Sequence, residues 1–82
     1  MASMYTDKQI PADLSVLGIE YGRMMRITKT ADNRDIRGRV VQVTGWRPAT
    51  PWDLSRVKVR LVESDGSLGD EYLVVSSILV AR

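Results

Sequence analysis

Along this 82-residue chain, apolar and polar positions alternate with a period of two over several short stretches, and turn-forming residues separate them. From Arg23 to Thr28, Met25 and Ile27 fall on one face, and Met24, Arg26 and Thr28 on the other. Ala31-Asp32-Asn33-Arg34-Asp35 is turn chemistry, because Asn and Asp bond their own backbone. A second strand is predicted over Ile36 to Thr44. Val40, Val41 and Val43 cannot share a face there, so Gly38 and a bulge between Val40 and Val43 are expected to bend it. Trp46-Arg47-Pro48-Ala49-Thr50-Pro51-Trp52-Asp53 reads as a loop, since its prolines cannot donate to a ladder. Arg56 to Glu63 is the cleanest strand, with Val57, Val59 and Leu61 against Lys58 and Arg60. Ser64-Asp65-Gly66-Ser67 predicts a hairpin turn. Glu71 to Val75 follows as a strand, Ser76-Ser77 as an interruption, and Ile78 to Ala81 as a last short strand.

This pattern predicts an all-β fold: about five short strands closing into a small barrel, with one Pro/Trp loop and an irregular N-terminal segment. Residues 1–13 read as a tail and 14–82 as the domain, in keeping with a length that supports one core. Pro11 and Asp13 could open a single helical turn that Gly18 stops, with an apolar strand or loop as the alternative. Leu14, Val16, Leu17, Ile19 and Tyr21 are expected to cover one end of the core, with Tyr5 beside them. Met1-Ala2-Ser3 precede a second methionine, Met4, and read as a leader outside the fold.

The order of these elements resembles an SH3-like barrel over about residues 20–82. Gly22-Arg23-Met24-Met25-Arg26-Ile27 resembles its first strand. Ile36-Arg37-Gly38-Arg39-Val40-Val41-Gln42-Val43 is similar to a KOW-type core strand, and Val75-Ser76-Ser77-Ile78-Leu79-Val80 looks like the closing turn and final strand. The resemblance implies a nucleic-acid-binding or machinery-associated accessory role. Plasmid-type dihydrofolate reductases are similar small barrels with a Val-Gln-Ile-Tyr strand, but here the place reads Tyr72-Leu73-Val74-Val75.

Composition narrows the chemistry. The chain has no Cys, His or Phe. It therefore lacks a thiol nucleophile, a zinc-thiolate set and the side chain that titrates unperturbed near neutral pH. Ser76-Ser77 has no general base beside it in sequence, and reads as a turn. No enzyme activity, metal or cofactor is expected. No apolar run approaches the roughly 20 residues that span a bilayer, and the polar N-terminus does not read as a secretory signal, so a cytoplasmic site is the default.

Charge is the main functional clue. The net charge of +2 hides a basic middle and acidic ends. Residues 23–60 hold ten Lys and Arg against Asp32, Asp35 and Asp53, whereas 61–82 hold Arg82 against four acids. Strand alternation turns Arg26, Lys58 and Arg60 outward and puts Arg37 and Arg39 on one face of their strand. With Arg47, these six make a candidate basic face for DNA or RNA phosphates. Trp46 and Trp52 are candidate stacking contacts; the structural alternative is that Trp46 plugs the barrel end and Trp52 anchors the loop. The leading expectation is a non-enzymatic nucleic-acid-binding module. The alternative is a protein–protein module using the Trp46–Trp52 loop, such as a subunit or inhibitor that a phage or mobile element encodes. Homodimerisation fits either, because a domain this small gains core by pairing.

Overall fold

A computed structural model describes residues 10–82. Leu14 sits on a one-turn helix, α1 (Ala12–Ser15), which Gly18 ends with a left-handed φ of 85°. Five strands follow: β1 (Met24–Ile27), β2 (Val40–Arg47), β3 (Arg56–Val62), β4 (Leu68–Val74) and β5 (Leu79–Ala81). A 3₁₀ turn over Ser76–Ile78 leads into β5, where the serine pair predicts an interruption. All five strands pair antiparallel in one sheet, in the order β4-β3-β2-β1-β5.

Period-two alternation decides what is inside. Met25, Ile27, Val41, Val43, Val57, Val59, Leu61, Val74 and Leu79 turn to one face and are buried there with Leu14, Ile19, Ala31 and Ile36. Every fully inward position on β1 to β3 is aliphatic or Met, and among the described residues no polar residue is buried with them. Ile10, Trp46, Tyr72 and Ile78 pack around this cluster.

The second strand differs from its expected limits. It begins at Val40, not Ile36, and runs on through Gly45 and Trp46 to Arg47. The reason at its start is local. Gly38 takes a left-handed φ of 70°, and both it and Arg39 hydrogen-bond to Ile27: Gly38 N–H donates to the Ile27 carbonyl, and Ile27 N–H to the Arg39 carbonyl. Two residues thus oppose one, a bulge that only Gly enters without strain. Ile36 therefore folds into the core from a turn. The bulge expected between Val40 and Val43 lies farther on, where Val43 faces Val59 but Gly45 faces Lys58 and Thr44 is the extra residue. This shift carries Trp46 to the core side, opposite Val57.

The N-terminal segment also departs from expectation. Leu14 and Ile19 are buried, but Val16, Leu17 and Tyr21 are 85%, 65% and 49% exposed. A single helical turn presents only about one position in three or four to the core, so the neighbours of Leu14 face solvent. Residues 1–9 of the expected tail, Tyr5 included, lie outside the described residues. Among the described residues no helix is long and apolar enough to cross a membrane.

Candidate interaction surface

The register fixes which side chains share the sheet's outer face. Met24, Gln42, Arg60 and Glu71 form one cross-strand row. Val80, Arg26 and Val40 form a second. Lys58 and Leu73 adjoin Gly45 in a third, and Arg47 lies opposite Arg56 in a fourth. Four of the six basic site residues, Arg26, Arg47, Lys58 and Arg60, thus face the same way. Arg26 Nη1 donates to the Gly38 carbonyl at 2.8 Å, and Arg60 Nε to the Gly69 carbonyl at 2.8 Å. These bonds fix the side chains against the sheet without cancelling their charge.

Arg37 and Arg39 stand elsewhere. Arg37 lies in the turn before Gly38, where its Nε donates to the Ala31 carbonyl. Arg39 continues the core-face register of Val41 and Leu61, and so meets Glu63 at 3.2 Å at the rim of the core. Alternation is the cause for Arg39, which is in phase with the core residues Val41 and Val43, while Val40 is the residue opposite Arg26; the turn that ends at Gly38 takes Arg37 out of the strand.

Among the described residues, the β2–β3 loop holds the most exposed aromatic side chain. Thr50 N–H donates to the Asp53 carbonyl at 2.9 Å, and Asp53 N–H to the Thr50 carbonyl at 3.3 Å, closing the turn Thr50-Pro51-Trp52-Asp53. Pro51 supplies the fixed φ that the second turn position prefers. No non-glycine residue has positive φ among the described residues, so Trp52 sits in a type I turn. Its ring is 86% exposed, and Leu54 beside it is 65% exposed.

Ion pairs to both adjoining strands pin this turn. Arg47 and Arg56 face each other across the ladder, a pairing of like charges that is destabilising by itself. Asp53 resolves it: its carboxylate accepts from Arg47 Nη2 and from Arg56 Nη2 at 2.9 Å, and from the Leu54 N–H at 2.9 Å. Arg47 Nη2 also reaches the Leu54 carbonyl at 3.2 Å. The two guanidinium groups, Arg56 foremost, hold the Asp53 carboxyl well below the usual carboxylate range. Asp53 is the site residue that strand alternation did not reveal. Its signal is its place as the lone acid of residues 47–60, two residues past the turn proline.

The two tryptophans have opposite settings. Trp46 is part-buried and packs against the core. Trp52 stands largely in solvent. A cleft of about 180 Å³ between the β1–β2 connection and the end of β4 is lined by Asp32, Asn33, Arg56, Tyr72 and Ile78 among others. It is smaller than the roughly 300 Å³ at which small-molecule sites begin. No group of three or more acidic, His or Cys side chains that could hold a metal occurs among the described residues.

No protein-family model, curated protein or solved structure matches the chain. The surface alone therefore carries the functional reading.

Proposed function

We propose that this domain is a non-enzymatic protein–protein interaction module that engages its partner through Trp52, Leu54 and the adjoining outer face of the sheet. The observation that carries the proposal is Trp52, 86% exposed on a turn that two arginines and a carboxylate hold in place. Trp and Arg dominate interface hot spots, and a pre-fixed aromatic loses little conformational entropy on docking. On the outer face Met24, Val40, Val62, Leu73 and Val80 are interleaved with Arg26 and Arg60, with Gln42 and a single carboxylate, Glu71, in the Arg60 row. Interface cores are enriched in aromatic residues, Met and Arg and are poor in Asp and Glu.

The test compares wild type with Trp52→Ala as bait in nuclease-treated lysate of the producing cells. A protein that wild type retains and the variant loses supports the proposal. Equal retention by both baits, or no retained protein, refutes it.

A nucleic-acid reading has one specific observation in its favour: Arg26, Lys58 and Arg60 on one face, with Arg47 at its end and Trp52 beside it. It requires affinity for single-stranded DNA or RNA that weakens as salt rises, by a log–log slope of about −0.7 per phosphate neutralised. Fluorescence polarisation at low salt decides it, since the absence of binding there removes the reading.

A further inference from the structure

The molecule exposes a second apolar cluster, and its charge is opposite to that of the first. Val16, Leu17 and Tyr21 are 85%, 65% and 49% exposed on the N-terminal segment. Residues 10–22 carry Asp13 and Glu20 and no base, with Arg23 just beyond. Glu20 is held in place by the Ser15 hydroxyl, which donates to its Oε2 at 3.2 Å. The Trp52 cluster lies in residues 47–60, where Arg47 and Arg56 share Asp53 and Arg60 faces Glu71 across the ladder, so cations outnumber acids.

Both clusters are exposed, and among the described residues neither covers the other. A contiguous apolar patch on a small soluble domain marks an interaction site. Here each patch supplies what the other lacks: Val16 and Leu17 with carboxylates on one, Trp52 and Leu54 with guanidinium and ammonium groups on the other. We infer that the occupant of the Trp52 surface is the N-terminal turn of a second copy of this chain, docked head to tail. The inference rests on the interaction reading above and names its partner.

Docked head to tail, the contact is heterologous, and each added copy leaves one patch of each kind open until a ring closes. It therefore builds a ring or a short row and not a closed twofold dimer. Five large apolar side chains make a small contact of the transient class. Association accordingly rises with concentration and weakens with salt.

Complementation tests this geometry. Leu17→Asp disables one patch, and Trp52→Ala disables the other. Both substitutions are at exposed positions, and circular dichroism confirms that each variant is folded. In sedimentation equilibrium, wild type is expected to exceed the 9.2 kDa of one chain increasingly with concentration. Each variant alone is expected to stay at 9.2 kDa. An equal mixture retains one intact Trp52 surface facing one intact N-terminal turn, so it regains mass but stops at about twice that of one chain. A wild type that remains at 9.2 kDa at every concentration overturns the inference. So does association that either variant retains, and so does a mixture that fails to complement, which points to a twofold contact. A monomeric wild type that still retains a foreign protein through Trp52 overturns the self-association and leaves the interaction reading intact.

Discussion

Two turns of this sheet use the same residue type for opposite ends. In the β3–β4 turn, Asp65 accepts from the Ser67 N–H at 3.0 Å and from the Ser67 hydroxyl at 2.6 Å. All its bonds are local, and its tip is Gly66 at a left-handed φ of 88° between the polar Asp65 and Ser67. In the β2–β3 turn, Asp53 instead reaches out to Arg47 and Arg56 on two different strands, and the tip is Trp52. A turn that only connects strands needs an Asx bond and a glycine. A turn fixed from both adjoining strands, with a large ring at its tip, is organised to hold that ring out. The difference locates the surface more sharply than net charge does.

The largest effect separates the turns from the core beneath them. Ile27 is fully buried at the centre of β1, so Ile27→Ala is expected to destabilise the fold by about 3 kcal/mol in urea denaturation. Trp52→Ala should leave stability within about 0.5 kcal/mol of wild type, as at other exposed positions. Its effect belongs to binding, where losing a hot-spot side chain weakens partner affinity by about 2 kcal/mol or more, read by titration calorimetry. A stability loss approaching that of Ile27→Ala would instead make Trp52 part of the core.

A smaller change probes the local turn. Gly66→Ala meets no atom within 4 Å, so only the left-handed backbone resists it. The expected loss is about 1 kcal/mol of stability with binding unchanged. The mirror-image result, with binding lost and stability kept, would erase the distinction between the turns.

The smallest effect concerns acid. Both Asp53 and Asp65 are held below the usual carboxylate range, by the two arginines and by Ser67 respectively. The folded chain then binds fewer protons than the unfolded one between the two sets of values. The stability these groups contribute is full above the unfolded value of about 3.9 and is lost as pH falls below it. Asp53→Asn should flatten part of that acid slope and speed amide exchange at Thr50 and Leu54. An unchanged slope and unchanged exchange would show that the ion pairs do not hold the turn.

Much of the fold was legible because the physics was local. Val57, Val59 and Leu61 alternate cleanly, Asp65-Gly66 is a hairpin signal, and Met25 and Ile27 could face only one way. The second strand was harder. Its limits depend on two bulges, and a glycine in the sequence shows that a bend is allowed without showing which residue becomes the extra one. That ambiguity carried through to the surface. Arg37 and Arg39 share a parity in the sequence, but it is that of the core residues Val41 and Val43 and not of Val40, which lies opposite Arg26, and the turn through Gly38 takes Arg37 out of the strand. Val16 and Leu17 were placed over the core by their hydrophobicity alone, but one turn of helix has room on its inner side only for Leu14. The Asp53 pins escaped because they join residues from both strands and the loop between them, a proximity that exists only once β2 and β3 pair.

The account turns on Trp52 standing in water until a partner covers it, and the ring's own fluorescence reports this. In a Trp46→Phe protein the emission comes from Trp52 alone. At low concentration it should be red-shifted and readily quenched by acrylamide. As partner is added or self-association is driven by concentration, it should move to the blue and become protected. Emission already blue and shielded in the dilute, monomeric protein would contradict the account, because the ring would then belong to the fold and not to an interface.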